Sequence, residues 1–294
     1  MKNTTSPSRT VLRAAKRLLR HRRLVLMELR NKFALGHSIL AMRQIEDAEV
    51  ERLRGELPEI PTARVAVVTA TYKRPELLQR AVRSALAQTV ADHIVIVVDD
   101  GGGLPELPGD PRLVACSLSA NTAVLGVVLN VGIRLTQSTY VAFLDDDNEW
   151  EPEHLEAALA ALEGDTVSNP PDVVYTALRR SFPDGRPLDV LSTPFNRRLL
   201  AWQSYVDTNS LVIRRFPGLH FSRIRRPRGI LPREDWELVY RLSRRLRIVH
   251  VPIPTIRYRV NPTSFWSDWA SSLSAELPPL PRVDAVELSS ELPP

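Results

Sequence analysis

Between residues 64 and 144 the chain passes repeatedly through a short apolar run and then a stretch of helical periodicity, and this alternation restricts its fold more than any other feature. Arg64 to Thr69 and His93 to Val98 are rich in Val and Ile with little polar alternation, the pattern of strands covered on both faces. Pro75 opens a segment with Leu77, Leu78, Ala81, Val82, Ala85 and Leu86 at helical spacing, and proline suits a first helical position because it has no N–H to leave unsatisfied. Leu113 to Leu118 is expected to be a third strand, Val124 to Leu135 a helix, and Tyr140 to Leu144 a further strand. Parallel neighbours need a crossover of a dozen or more residues, so strands and helices in this order specify an α/β fold with a mostly parallel central sheet flanked by helices.

Beyond residue 150 the pattern loosens. Pro152 to Leu162 reads as a helix, Val173 to Ala177 as a strand, Asp235 to Arg244 as a helix, and Ile248 to Val251 and Ile256 to Val260 as short strands. Prolines and arginines fill Phe182 to Arg233 around one apolar island, Ser210 to Ile213, so loops around a site are expected there. The chain thus divides into a basic helical extension over 1–61, an α/β body over 62–270 whose halves meet near residue 150, and a tail over 271–294. Pro58 and Pro61 mark the first boundary, and the Pro-, Glu- and Ser-rich tail is expected to be disordered.

The strand ends carry the chemistry. Asp145, Asp146 and Asp147 follow an apolar run directly, and adjacent carboxylates repel by roughly a few kcal/mol per close pair at intermediate dielectric. In an open α/β sheet, ligands sit outside the carboxyl ends of the strands. Mg²⁺ is held by one or two carboxylates plus substrate phosphates, so the run fits a divalent ion shared with a diphosphate, and it also fits a solvated acidic turn. Asp145, Asp147, Glu149 and Glu156 have the spacing of a calcium loop, but Trp150 stands where such a loop needs glycine and a strand precedes it. Thr71 to Pro75 and Asp99-Asp100-Gly101 occupy two further strand ends.

The net charge of +5 is concentrated in the N-terminal extension. Arg9, Arg13, Lys16, Arg17, Arg20, Arg22, Arg23, Arg30 and Lys32 interleave with Leu12, Ala15, Leu19, Leu26, Leu29 and Phe33, which recur at helical spacing. A basic amphipathic helix over residues 9–33 suits peripheral contact with an anionic membrane, and it equally suits a helix packed on its own domain with a solvated basic face. No nucleic-acid module and no interleaved aromatics are present, so no nucleic-acid partner is expected. No apolar stretch is long enough to span a bilayer, no secretory signal pattern opens the chain, and Cys116 is its only cysteine; a reducing cytoplasm is the expected setting, with contact at the inner membrane face.

Taken together, Val67-Val68-Thr69-Ala70-Thr71-Tyr72-Lys73-Arg74-Pro75, Val97-Val98-Asp99-Asp100-Gly101 and Phe143-Leu144-Asp145-Asp146-Asp147-Asn148 resemble the family 2 glycosyltransferases. The resemblance implies the GT-A fold and an inverting transferase using a nucleotide-diphosphate sugar and Mg²⁺ or Mn²⁺. It implies that Ala70, Thr71, Tyr72, Arg74, Asp100, Asn130, Asp145 and Asp146 border the nucleotide sugar, with Tyr72 stacking on the base and Asp100 accepting a hydrogen bond from it. A UDP-sugar is the favoured donor, with dTDP or GDP as alternatives, and the hydroxyl acceptor is left open. Asp147 is implied as the primary metal ligand with Asp145 its partner, Asp99 as a brace of its turn, and Asp235, in Glu234-Asp235-Trp236, as general base. Alone, Asp235 would read as a helix-capping residue.

The chain departs from the family at Ala70, Lys73, Gly102 and Leu129, where Pro, Asn, Ser and a basic residue are usual. It lacks a Gln-x-x-Arg-Trp motif, which implies transfer of a single sugar and not processive synthesis. A sugar-phosphate nucleotidyltransferase would need a Gly-rich loop after the first strand, and none is present. A non-catalytic scaffold of the same fold is the alternative of another class. Arg197, Arg198, Arg223, Arg225, Arg226 and Arg228 suit either an anionic acceptor or a solvated basic surface. Trp150, Trp202, Trp236, Trp266 and Trp269 are expected to be packing residues, with Trp150 and Trp202 the candidates for a sugar platform.

Overall fold

A computed structural model of the chain describes residues 23–164, 169–182, 184–227 and 230–260. The expectations for the stretch before Arg23, for Arg228, for Trp266 and Trp269 and for the tail lie outside those residues. Strands β1 (Val65–Thr71), β2 (His93–Asp99) and β4 (Tyr140–Phe143) are buried at every position, which is why their sequences do not alternate. β1 lies between β2 and β4, parallel to both, and β3 (Leu113–Ser117) extends the sheet beyond β2. Helices α3 (Pro75–Leu86) and α4 (Leu125–Leu135) are the crossovers. Successive side chains of each strand feed different cores: Val67, Val95 and Val97 meet Leu78, Ala81 and Val82 of α3, whereas Val68, Ile96 and Val98 meet Val128, Leu129 and Val131 of α4. Gly132 allows α4 to lie close to the sheet, because a Cβ there would stand 2.5 Å from Val68 Cγ1.

The remaining elements are β5 (Glu149–Trp150), α5 (His154–Glu163), β6 (Val173–Ser181), β7 (Pro187–Leu191), α6 (Arg197–Leu200), a 3₁₀ turn (Thr208–Ser210), β8 (Leu211–Arg214), α7 (Glu234–Leu242) and β9 (Ile248–Arg259). The sheet order is β3-β2-β1-β4-β8-β6-β9-β5, with β7 on β6. Parallel pairing is the rule in the first half only; β8 runs antiparallel to β4 and β6, and β9 runs parallel to β6. Two expectations are corrected here. The stretch expected as loops holds β7, α6 and β8. The two short C-terminal strands are one, because the ladder to β6 shifts register after the pair Thr176 and Val251 and resumes at Ala177 and Pro254, leaving Pro252 in the irregularity where no ladder bond is asked of it.

Helices α1 (Arg23–Leu35) and α2 (His37–Glu56) join at Gly36 and pack on this body. Glu46 of α2 is fully buried and accepts hydrogen bonds from Asn130 Nδ2 (2.9 Å), Arg134 Nη1 (3.0 Å), and Arg223 Nε and Nη2 (2.7 Å each). A buried carboxylate costs several kcal/mol unless it is paired and fully hydrogen-bonded, and here two guanidinium groups and an amide meet that need. Glu28 pairs with Arg226 at 3.0 Å. Arg223 and Arg226 are thus committed inside the molecule, not offered to an anionic acceptor or to solvent. The expected apolar stripe of α1 is also reversed. Leu24, Glu28 and Asn31 face the body, while Leu26, Leu29 and Phe33 are 43%, 58% and 95% exposed.

Trp150 and Trp236 are core residues. Trp150 donates from Nε1 to the Asn209 carbonyl (2.9 Å) and stacks on His154, and Trp236 donates to the Leu200 carbonyl (2.5 Å). Trp202 is half-buried, with the Arg23 guanidinium 5.9 Å from its ring.

Candidate active site

Register brings the polar motifs together. Thr71 pairs with Asp99 and Val68 with Phe143, so β1, β2 and β4 end along one edge, and the next residues continue the contact through Asp100 N–H to Thr71 O (2.9 Å) and Leu144 N–H to Val68 O (3.1 Å). A cavity of about 540 Å³ opens there, lined by Ala70, Thr71, Tyr72, Arg74, Asp100, Asp145, Asp146 and Asp147, with Asn121, Val124 and Leu125 on the α4 side. Of the expected site residues, Asn130 and Asp235 do not line it. Asn130 is 1% exposed; its amide donates to Glu46 and to the Phe221 carbonyl (3.1 Å), and its Oδ1 accepts from Phe221 N–H (2.6 Å). That side chain ties α4 to α2 and to the chain before α7, which corrects its expected place beside the donor.

Two carboxylates at the end of β2 take donors from nearby, although Asp99 Oδ1 is buried without a partner. Asp99 Oδ2 accepts from Gly102 and Gly103 N–H (2.8 Å each) and from the Ser117 hydroxyl, so it braces the turn as expected. Asp100 accepts from Thr122 N–H (2.8 Å), Thr122 Oγ1 (2.9 Å) and Ala123 N–H (3.1 Å). Burial raises its pKa and these donors oppose the rise. Tyr72 remains 40% exposed at the cavity wall, with Lys73 Nζ 5.1 Å from its ring centre. The departure at residue 102 has a steric reason, since a Cβ on Gly102 would lie 2.9 Å from Tyr72 Cδ2.

The three consecutive aspartates have different surroundings. Asp146 is buried; its Oδ2 accepts from Thr71 Oγ1 (2.8 Å) and its Oδ1 from Arg74 Nη1 (3.0 Å). The same Nη1 reaches Asp147 Oδ2 at 3.2 Å, and Asp147 Oδ1 accepts from Asn148 Nδ2 (2.9 Å). Asp145 is held by Asn209: its backbone N–H donates to Asn209 Oδ1 (2.6 Å), and its Oδ2 accepts from Asn209 Nδ2 (2.8 Å). Asn209 is fully buried and is fixed in turn by Asp207, whose Oδ1 accepts from its backbone N–H (2.9 Å) and from Nδ2 (2.7 Å).

Asp207 and Asn209 are functional candidates that sequence reasoning missed. They lie in a short polar stretch at the edge of the apolar island, and only the antiparallel pairing of β8 with β4 brings them to the aspartates. Asp207 also links the two halves of the site. Desolvation, then the Asp207 charge and then that of Asp147 push the Asp145 pKa well above the carboxylate range. Asp235, half-buried at the start of α7, is pushed up to about 7, first by desolvation and next by Asp207, against one backbone hydrogen bond from Trp236 (2.6 Å). Tyr258 of β9 feels Asp207, Asp145, Asp147 and Asp235 together, and burial with these charges drives its hydroxyl pKa upward.

The donor set fits a hard divalent cation. Asp145 and Asp147 offer carboxylate oxygens, and the charge crowding that lifts Asp145 is what a nearby cation relieves. Among the described residues no group of three or more His, Cys, Asp or Glu is arranged to hold a metal, so a cation here needs oxygens from water and a diphosphate to fill its shell.

Comparison with known proteins identifies the family and the fold. The glycosyl transferase family 2 model matches residues 66–221. The succinoglycan biosynthesis protein ExoW of Rhizobium meliloti is 36% identical over 102 residues, covering 32% of this chain and 32% of its own length. ExoO, a second succinoglycan biosynthesis protein of that organism, is 33% identical over 158 residues, covering 50% of this chain and 43% of its own. Among solved structures, S. aureus TarS 1–349 in complex with UDP-GlcNAc superposes with a TM-score of 0.53 at 17% identity, over 69% of this chain and 60% of that one. The fold is GT-A, and the chain belongs to glycosyl transferase family 2.

Proposed function

We propose that the chain is an inverting, metal-assisted glycosyltransferase that moves one sugar from a nucleotide-diphosphate donor, preferably a UDP-sugar, to a hydroxyl acceptor. The observation that carries this reading is the cavity at the strand ends lined by Asp145, Asp146 and Asp147, with Asp207 acting on both Asp145 and Asp235, whose carboxyl pKa values burial and that charge raise together. In it, the Tyr72 ring offers a flat face to the base. Asp100, held by Thr122 and Ala123, accepts an N–H such as that of a uracil or thymine ring. TarS, whose structure was solved with UDP-GlcNAc, supports the choice of uridine, and dTDP or GDP donors are the alternatives.

Arg74 is a cation already placed beside Asp146 and Asp147, where a diphosphate would lie. Mg²⁺ or Mn²⁺ held by Asp147 and Asp145 would stabilise the charge that builds on the leaving phosphate. Asp235 takes the proton from the acceptor hydroxyl as that oxygen attacks the anomeric carbon from the face opposite the diphosphate, which inverts the configuration. Its pKa of about 7 suits this task, because a general base works best when its pKa lies near the operating pH. The succinoglycan names of ExoW and ExoO support a saccharide acceptor.

Thermal stabilisation by UDP-, dTDP- and GDP-sugars, measured with and without Mn²⁺, tests the donor site. One nucleotide class is expected to raise the Tm, the rise depends on Mn²⁺, and Asp147→Asn abolishes the Mn²⁺-dependent part. Absence of stabilisation by every donor in the presence of metal would remove the reading.

A further inference from the structure

We infer that α1 is a docking face for an anionic membrane surface, and that it holds the acceptor side of the site against that surface. The first observation is the reversed amphipathicity of the helix. Two of the three residues it buries are polar, Glu28 and Asn31, while Leu26, Leu29 and Phe33 point outward. These three recur at i, i+3 and i+7, so they form one stripe. Leu40, 65% exposed just past the bend at Gly36, adds a further apolar side chain on the neighbouring helix. Phe33 at 95% exposure is the extreme case, and an apolar stripe of this kind on a folded body marks a contact surface.

The second observation identifies the partner. Lys32 flanks the stripe and is exposed, Arg30 is exposed with part of its guanidinium bonded to Asn31 and Leu231, and Arg23 is partly exposed. The helix has one acidic residue, Glu28, which is turned inward onto Arg226, so the outward surface of α1 is cationic and apolar with no carboxylate. Lipid headgroups over an acyl layer match both properties at once. A nucleic acid would meet the charge and leave the stripe wet. A second copy of the chain, meeting this face through a two-fold axis, would bury Arg30 and Lys32 against an α1 surface that offers them no carboxylate.

The third observation ties the face to the chemistry. Asn31 Nδ2 (2.9 Å) and Arg30 Nη2 (3.1 Å) both donate to the Leu231 carbonyl, four residues before Asp235. Leu24 N–H donates to the Ala201 carbonyl (3.3 Å), directly after α6. The helix that carries the docking face is therefore hydrogen-bonded to the segment that leads into Asp235. The docking itself is independent of the proposed chemistry, whereas the choice of acceptor, a hydroxyl of a lipid-anchored saccharide, rests on it.

The test is flotation of the full chain with vesicles of phosphatidylcholine alone or mixed with phosphatidylglycerol, without donor. Binding to the mixed vesicles only, weakened by salt, is expected. The double variant Leu29→Ser/Phe33→Ser should reduce the floated fraction about tenfold, since two large side chains no longer leave water. Both positions are exposed, so its Tm and its stabilisation by donor should equal the parent's. Failure to bind mixed vesicles, equal binding by the double variant, or a dimer that the variant dissociates would each overturn the inference. Flotation without donor stabilisation would retain the docking face and remove the transferase reading.

Discussion

The half of the molecule built from β1 to β4 and the half built from β5 to β9 each contribute carboxylates to the candidate site, yet they treat those charges differently. At the end of β2, Asp99 and Asp100 sit among nearby donors, six hydrogen bonds in all, so apart from the buried Asp99 Oδ1 the protein supplies much of what water would. At the start of α7, outside the cavity lining, Asp235 has a single backbone donor and feels the Asp207 charge, and its pKa rises to about 7. The first arrangement suits groups that recognise a ligand without changing state. The second suits groups that change state during a reaction, since a proton or a cation relieves what the protein leaves unrelieved. Under the proposed function, that difference divides binding from chemistry among like residues.

The largest expected effect comes from breaking the second half at its base. Asp235→Asn should lower kcat about 10²- to 10⁴-fold while leaving donor stabilisation in place, as measured by UDP release beside thermal shift. In the parent, UDP release should rise about tenfold per pH unit up to about pH 7 and then level, as Asp235 ionises. Stability runs the other way. A carboxyl raised from 3.8 to about 7 favours the folded state while protonated, so its contribution is complete below pH 3.8 and is lost as pH rises through about 7. The Tm of the parent should therefore fall over that range relative to Asp235→Asn, and parallel Tm profiles would show that Asp235 is not desolvated.

Asn209→Ala addresses the join between the halves. It leaves Asp145 N–H, Asp145 Oδ2 and Asp207 Oδ1 short of their partner, and should cost about 2–3 kcal/mol by denaturant unfolding. It should also raise the Mn²⁺ concentration needed for donor stabilisation, which a purely structural lesion would leave alone. The smallest effect is expected on the recognition side. Gly102→Ala drives a methyl against the Tyr72 ring, and should weaken donor binding about fivefold, close to 1 kcal/mol, with kcat unchanged.

The same division decides what could be read from the amino acids alone. β1, β2 and β4 were legible because burial on both faces removes alternation, and the aspartates because they interrupt such a run abruptly. Asp207 and Asn209 were not, because Asp-Thr-Asn-Ser has the composition of any polar turn and acquires meaning only through a partner 64 residues away. Asn130 misled for the converse reason. Its position in the helix matched a motif, while its partners, Glu46 and Phe221, come from segments with no motif at all. Pro252 and Pro254 concealed β9, since a proline reads as a break unless the neighbouring strand is known to bulge beside it.

Glu46 has a consequence for how the chain comes into being. Arg223, one of its two guanidinium partners, lies 177 residues further along the chain. At ribosomal rates of about 5–20 residues per second, α2 waits roughly ten to thirty seconds with a carboxylate that has no finished place to go. During that interval Met42 can already close on Val124 and Val127, whereas Leu24, whose N–H ends on the Ala201 carbonyl, still waits for its partner. The buried place of Glu46 is thus completed only after the strands β1 to β4 and the helix α4 beneath it have been made.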